Sequence, residues 1–166
     1  MARTRISWDE LFMEMAFILT KRSSCLTSQM GAVLVTQDND VISTGYNGSP
    51  AKLPNCSDLG TCQRQEDPNY ASGKDLHLCK AVHAEINAIL LAAKNGHSTK
   101  DAKLYCTHQP CTECAKQIVN AGIAEVIFAN PYPNHEESIK IMQHGDVRVK
   151  HRPLTSADSN LGTMLR

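Results

Sequence analysis

The sequence HAEINAILLAAK, residues 83–94, and the later run PCTEC, residues 110–114, decide how this chain is interpreted. The first run is rich in Ala, Leu and Ile and contains neither Gly nor Pro. It therefore predicts a helix that has His83 in its first turn and Gly96 at its C-terminal end. A second helix is predicted to start within the later run.

Three metal ligands are expected at the starts of these two helices. Pro110 suits the first position of the second helix, which puts Cys111 and Cys114 one turn apart on one face. Thiolates are favoured near the positive end of a helix dipole. An enzymatic zinc ion usually has three protein ligands and a fourth position for water, so His83 together with the two cysteines supplies the set.

Glu85 distinguishes a catalytic zinc site from a structural one. A CxxC pair alone also fits structural zinc and redox pairs, and a lone His on a helix is more often packed or solvated. A structural site has no use for a carboxylate beside an open coordination position, whereas a hydrolase needs one to take a proton from water. We therefore predict Glu85 as the catalytic acid and base, with structural zinc as the alternative.

The composition predicts one domain and a small substrate. A chain of 166 residues with 42% hydrophobic content can bury one sizeable core. Lys plus Arg and Asp plus Glu both number 17, so no overall basic field favours a nucleic acid polymer as partner. Acidic residues interrupt the apolar residues of positions 1–20, which argues against a signal peptide or a membrane span. We expect a single domain, residues 1–166, in the cytoplasm, or in the host cytoplasm if the protein is viral, with reduced cysteines.

Hydrophobic periodicity predicts the order α-β-β-α-β-α-β-α-β, a layered α/β fold with one mixed sheet between helices. Ser7 and Glu10 have capping-box spacing at the start of the first helix, residues 7–22. Residues 51–79 have little periodicity and form an irregular insertion, and the tail from residue 153 is expected to be loose. Strands are expected at residues 32–36, 41–45, 103–107, 125–129 and 147–151, and further helices at 83–94, 112–122 and 135–144.

Several motifs resemble the cytidine deaminase superfamily, and within it the deoxycytidylate (dCMP) deaminases of microbes and phages. The order H-x-E followed by P-C-x-x-C is the signature of zinc-dependent base deaminases. The resemblance runs from about residue 22 to residue 154 and implies a three-layer α/β/α fold with a five-stranded mixed sheet. Its carriers are RSSC at 22–25, MGAV at 30–33, GYNGSP at 45–50, HAEINAI at 83–89 and PCTECAKQI at 110–118.

The resemblance implies hydrolysis of dCMP to dUMP and ammonia, which supplies dUMP for thymidylate synthesis. It assigns zinc to His83, Cys111 and Cys114, and the proton shuttle to Glu85. Substrate binding is assigned to Asn47, against the sugar, and to Ala84. A deaminase of another cytosine or adenine compound, nucleoside or tRNA, is the alternative, and a binding module built on structural zinc is a more distant one.

The remaining cysteines predict a second, structural zinc that closes the insertion. Four of them flank or occupy it, and related phage enzymes carry a second zinc there, with Cys25 and Cys56 at positions that match its ligands. Ala81 stands where some relatives have a carboxylate, so Cys79 would replace it. The fourth ligand is expected to be His77, with Cys62 as the alternative.

The turn GYNGSP, residues 45–50, is the second feature that the resemblance assigns beyond the catalytic site. By itself it indicates only a tight turn after a strand. The resemblance implies a nucleotide site at this turn, where dCTP with Mg²⁺ activates and dTTP inhibits, in a homo-oligomer that is commonly a hexamer. The residues assigned to this site are Gly45, Tyr46, Asn47, Gly48, Ser49, Pro50 and Lys94.

The group that binds the substrate phosphate is left open by the sequence. A 5′-phosphate needs Arg, Lys or backbone donors near the cleft. The candidates are Lys21, Arg22, Lys116 and Tyr132, and the sequence does not choose among them.

Overall fold

The computed structural model describes residues 5–66, 79–132 and 136–153. Its helices and strands follow the predicted order, with one additional short helix in the insertion. In chain order they are α1 (Trp8–Thr20), β1 (Gly31–Val35), β2 (Val41–Tyr46), α2 (Cys56–Leu59), α3 (Ala84–Lys94), β3 (Lys103–His108), α4 (Thr112–Asn120), β4 (Glu125–Asn130), α5 (Glu136–His144) and β5 (Arg148–His151).

One five-stranded mixed sheet forms the centre, in the order β2-β1-β3-β4-β5. Strand β1 is antiparallel to both β2 and β3, whereas β3, β4 and β5 are parallel. Helices α4 and α5 make the crossovers between the parallel strands. This arrangement confirms the predicted α/β/α architecture with a five-stranded mixed sheet.

Two apolar clusters fill the space on the two faces of the sheet. Helix α1 packs on one face, where its Phe12 and Met13 meet Val33, Tyr105 and Ile127. The capping box between Ser7 and Glu10 is present at its start, as predicted. Helices α3, α4 and α5 share the other face, against alternate strand residues such as Leu34 and Leu104. Successive strand residues therefore serve opposite layers.

Helix α3 lies directly on the backbone of β2. A Cβ at Gly45 would overlap the carbonyl oxygen of Ala84 and would lie 2.5 Å from the backbone nitrogen of Ala88. The Ser43 hydroxyl donates to the Ala88 carbonyl at 2.7 Å. Only a glycine permits this approach, which fixes the first turn of α3 against the end of β2.

Two details of the helix starts differ from the prediction. His83 and Cys111 are the N-caps of α3 and α4, with extended backbone, and so precede the first turns. Pro110 lies two residues before α4 and not at its first position. The reason is that the Gln109 amide still donates to the Asn130 carbonyl at 2.8 Å, which keeps the chain extended beyond β3.

The insertion contains a short helix that periodicity could not detect. Helix α2 has only four residues. The Asp58 carboxylate accepts from the Asn55 amide at 3.1 Å, and Gly60 ends the helix in the left-handed conformation. Residues 67–78 of the insertion and 154–166 of the tail lie outside the described residues. Within the described ranges, no helix is both long enough and apolar enough to span a membrane.

We predict that Gly45→Ala destabilises the protein by about 1–3 kcal/mol, because the new methyl group must displace α3 or β2. Gly48→Ala is the matched control, since a Cβ there meets only the Ser24 hydroxyl, at 3.0 Å, and this side chain can rotate. The control should change stability by less than about 0.5 kcal/mol. Urea unfolding midpoints at constant m-value provide the comparison. Equal losses in the two variants would show that the close approach at Gly45 is not the constraint.

Candidate active site

Three ligand side chains converge where α3 and α4 begin. The Nδ1 atom of His83 lies 3.5 Å from the Cys111 sulfur and 3.3 Å from the Cys114 sulfur. The ligand atoms of all three residues lie within 4.8 Å of one another. Cys111 and Cys114 are buried and His83 is half-buried. The three predicted ligands thus form one group.

Shared protons couple the imidazole and the two sulfurs of this group. Hydrogen bonds with Cys114 and His83 lower the pKa of Cys111 to about 3. The hydrogen bond with Cys111 raises the pKa of Cys114 and also that of His83. A divalent cation at the centre would replace the shared protons and hold both sulfurs as thiolates. One imidazole nitrogen and two sulfurs form a donor set that zinc prefers, so the residues fit zinc.

Glu85 lies beside this group in the first turn of α3. Only 8% of its surface is exposed. Burial raises its pKa, while the nearby His83 imidazole acts in the opposite direction. A buried carboxyl with a raised pKa beside metal ligands is suited to accept and return a proton.

A cleft opens over the ligand group and Glu85. Its walls come from the loop before β1, the turn after β2, the described part of the insertion, the end of β3, and the chain after β4. The lining residues include Cys25, Thr27, Ser28, Met30, Asn47, Arg64, Cys79, Ala84, Cys106, Thr107, His108, Gln109 and Tyr132. The cleft is therefore built around the carboxyl end of β3, a usual position for ligand sites in α/β sheets.

Asn47 is buried in this cleft and also holds one of its walls. Its side-chain oxygen accepts from the Met30 amide at 2.8 Å and from the Ser23 hydroxyl at 2.7 Å. Its amide nitrogen donates to the Ser28 carbonyl at 2.8 Å. Among the described residues no acceptor takes the second amide hydrogen, which is available to a ligand there. Ala84, the other residue assigned to substrate binding, is buried and lines the same cleft.

Several lining residues were not singled out from the sequence, among them Gln109, Thr107 and Arg64. Gln109 is buried, and its amide donates to Ser138 at 3.1 Å and accepts from the Tyr132 backbone at 3.4 Å. The Thr107 hydroxyl accepts from the Gly31 amide at 3.1 Å. The position of Gln109 immediately before PCTEC was an available signal. Arg64 lies in the aperiodic insertion, where the sequence offered none.

The described cysteines among the candidate ligands of a second zinc lie in α2 and near it. The Ser57 amide donates to the Ser24 carbonyl at 3.2 Å, which brings the segments of Cys56 and Cys25 together. Burial raises the pKa of Cys56, and the nearby Cys62, Cys25 and Cys79 raise it further. His77 lies outside the described residues. Among the residues that are described, only the His83 group brings three metal ligands within 4.8 Å of one another.

The predicted regulatory residues line a second, separate cleft. Lys94, the last residue of α3, lines this cleft, as do Gly45, Tyr46, Gly48, Ser49 and Pro50. Asn47 instead lines the cleft over the ligand group. Among the open phosphate candidates, Lys21 and Arg22 belong to this second cleft, and Lys116 is exposed and pairs with Glu113 at 2.7 Å. Only Tyr132 lines the cleft that contains Glu85.

Comparison with known proteins identifies the family. The family model of the cytidine and deoxycytidylate deaminase zinc-binding region matches residues 6–130, which include the whole ligand group and Glu85. The chain belongs to this deaminase family. The family is zinc-binding, in agreement with the donor set found at His83, Cys111 and Cys114.

Two relatives that are named deoxycytidylate deaminases illustrate the similarity. That of Saccharomyces cerevisiae is 38% identical over 151 residues, which cover 91% of this chain and 46% of the yeast protein. The chain thus spans about half the length of that relative. The human deoxycytidylate deaminase is 39% identical over 134 residues, which cover 80% of this chain and 71% of the human protein.

A solved structure supports both the family and the fold. The dCMP deaminase of cyanophage S-TIM5, determined in complex with dCMP and dUMP, matches this chain with a TM-score of 0.73 at 28% identity. The match covers 90% of this chain and all of the phage chain.

Proposed function

We propose that this protein is a zinc-dependent dCMP deaminase, which converts dCMP and water into dUMP and ammonia. The observation that carries the proposal is the buried Glu85 carboxyl next to the His83, Cys111 and Cys114 group, in one cleft. Deoxycytidylate deaminases among the relatives at 38–39% identity support the choice of substrate. The product would serve thymidylate synthesis in the cytoplasm.

Glu85 performs the proton transfers in this proposal. A zinc ion held by the three ligands supplies Lewis-acid activation of water at neutral pH. Glu85 takes a proton from the attacking water and gives it to N3 of cytosine as the C4–O bond forms. It then moves the second water proton from the new C4 hydroxyl to the amino nitrogen, so that the C4 carbonyl forms as the C4–N bond breaks. The amino group leaves as ammonia. The raised pKa of Glu85 suits a carboxyl that must release its proton as readily as it takes it.

We predict that Glu85→Gln lowers dCMP turnover by about 10²- to 10⁴-fold, because the amide cannot carry the proton. Zinc content should not change, since Glu85 is not one of the three ligands. Glu113→Gln is the matched control, because Glu113 lies on the neighbouring helix with 69% of its side chain exposed. Ammonia release and metal analysis of both variants provide the measurement. Turnover by Glu85→Gln above about a tenth of the wild-type rate would show that Glu85 is not the catalytic acid and base.

The choice of a nucleotide substrate is tested against its alternatives with the wild-type protein. Ammonia release is followed in parallel with dCMP, deoxycytidine, CMP and a folded tRNA. The zero formal charge of the chain favours a small substrate over tRNA. Turnover should be strongest with dCMP. Strong turnover of deoxycytidine and none of dCMP would exclude the nucleotide assignment, and no ammonia from any of them would favour a structural zinc module.

We further propose a second, structural zinc at Cys25, Cys56, Cys79 and His77, with Cys62 as the alternative to His77. The support is that Cys56, Cys62 and Cys79 line one cavity, that the bond from Ser57 to Ser24 brings the segment of Cys25 next to α2, and that thiolates are good zinc ligands. Such an ion would fasten an insertion in which α2 has no buried residue.

Metal analysis of cysteine variants tests the second zinc. We predict about two zinc ions per fully metallated chain, and one each in Cys56→Ser and Cys114→Ser. Cys106→Ala is the control and should keep both, because Cys106 is buried in β3 and belongs to neither group. A wild-type content of one zinc per chain would rule out the second site.

Regulation by nucleotides is proposed for the second cleft, in a homo-oligomer that is expected to be a hexamer. Lys21, Arg22 and Lys94 supply positive charge there, and the turn at residues 45–50 supplies backbone groups. The turn is joined to the catalytic helix, because Gly48 pairs with Val82 through backbone hydrogen bonds of 3.2 and 2.9 Å. Activation by dCTP with Mg²⁺ and inhibition by dTTP could thus act on the position of α3.

Saturation curves test the regulation. We predict that dCTP with Mg²⁺ lowers the dCMP concentration needed for half-maximal rate and that dTTP raises it. Lys94→Ala should weaken both effects, because a cation of the effector cleft is lost. Lys100→Ala, which removes the same charge at an exposed position after α3, should respond like the wild type. Curves that neither triphosphate changes at millimolar concentration would refute the regulatory site.

A further inference from the structure

The cleft that contains Glu85 has one long cationic side chain in its wall. Among the lining residues in the described ranges, Arg64 is the only Lys or Arg. Two histidines also line the cleft, but neither supplies a dependable positive charge. His83 is a member of the ligand group, and burial lowers the pKa of His108, which is therefore neutral at pH 7.

The fold directs Arg64 towards the cleft from the insertion. A turn follows Cys62, in which the amides of Gln65 and Glu66 donate to the Cys62 carbonyl at 2.8 and 3.2 Å. Arg64 is half-buried at this turn, and its Nε atom is shielded from solvent. Arg64 lines the same cleft as His83 of the ligand group and Cys25 of the loop before β1, so the geometry places its side chain beside the space that a substrate would occupy.

A nucleotide in this cleft brings a phosphate with up to two negative charges. Burial of such a group requires a cation or several donors, and the planar guanidinium offers a fork of N–H groups that matches phosphate oxygens. The other basic candidates do not meet this requirement. Lys21 and Arg22 line the second cleft, and Lys116 is exposed on α4.

We propose that Arg64 binds the 5′-phosphate of the substrate and thereby sets the preference for a nucleotide over a nucleoside, an inference that rests on the proposed function. Arg64 is a specificity residue here, because it contacts the phosphate and none of the reacting atoms. Tyr132 lines the same cleft and can donate its hydroxyl to the same group.

Paired substrates test the role of Arg64. In Arg64→Gln, kcat/KM for dCMP should fall about 10- to 100-fold, chiefly through a higher KM, because a charged hydrogen-bonding partner is lost. The kcat/KM for deoxycytidine should stay within about twofold, since the nucleoside has no phosphate to bind. Arg64→Lys should be intermediate, because it keeps the charge and loses the fork.

Lys80→Gln is the matched control. Lys80 is exposed, follows Cys79 near the same cysteines, and does not line the cleft with Glu85. The variant Lys80→Gln removes one positive charge from the same region and should leave kcat/KM for both substrates unchanged. Calorimetric binding of dUMP and deoxyuridine provides a second readout, in which Arg64→Gln should weaken dUMP alone.

Three results would overturn the proposal. Equal losses of kcat/KM for dCMP and deoxycytidine in Arg64→Gln would show that Arg64 is a structural residue. Unchanged kcat/KM for both substrates would show that Arg64 does not bind the phosphate. If Arg64→Gln loses zinc or does not fold, Arg64→Lys decides, and an unchanged preference for dCMP over deoxycytidine overturns the assignment.

Activity of the wild-type protein distinguishes failure of the proposed function from failure of the Arg64 proposal. A wild type that releases no ammonia from dCMP contradicts the proposed activity whatever Arg64 does. Binding of dUMP then decides about Arg64, because tighter binding of dUMP than of deoxyuridine that depends on Arg64 supports the phosphate role, and equal binding of the two overturns it.

Discussion

The direct packing of α3 onto the backbone of β2 is the constraint on which the rest of the site depends. The absence of a side chain at Gly45 lets the start of the helix rest against the strand, and the Ser43 hydroxyl holds the next turn. That start carries both His83 and Glu85. Helix α4 begins at the carboxyl end of the neighbouring part of the sheet and brings Cys111 and Cys114 to the same place. The packing of α3 on β2 thus positions His83 and Glu85 against the sheet from which Cys111 and Cys114 follow.

The turn after β2 links three parts of the molecule. Its first residue, Gly45, supports α3, and Asn47 fixes the loop before β1 through hydrogen bonds to Met30 and Ser28. Asn87 of α3 donates to the Tyr46 carbonyl at 2.7 Å. A ligand that moves this turn would therefore move both the catalytic helix and one wall of the cleft. The motif GYNGSP thus contacts both α3 and the loop before β1, and these contacts give the proposed regulation a physical basis.

The sequence was most informative where spacing has a chemical meaning. The order of elements, the ligand group and Glu85 followed from helix periodicity and from zinc chemistry, and the structure brings the ligands together as predicted. The exact helix starts did not follow, because the hydrogen bond that keeps the chain extended at Gln109 comes from β4, which is distant in sequence. Arg64 and α2 were missed for a related reason. Both lie in the insertion, whose position depends on long-range contacts and, in the proposal, on a metal ion. Long-range contacts and metal binding produce no periodic pattern in the sequence.

The most direct test of the account is the fate of oxygen during turnover. The wild-type protein, loaded with zinc, is incubated with dCMP in H₂¹⁸O, and product and ammonia are measured together. Hydrolysis at the site of Glu85 predicts dUMP with one solvent oxygen at C4 and one ammonia for each dUMP formed. Absence of ammonia, or dUMP whose C4 oxygen does not come from the solvent, would contradict the claim that this cleft activates water against the cytosine ring.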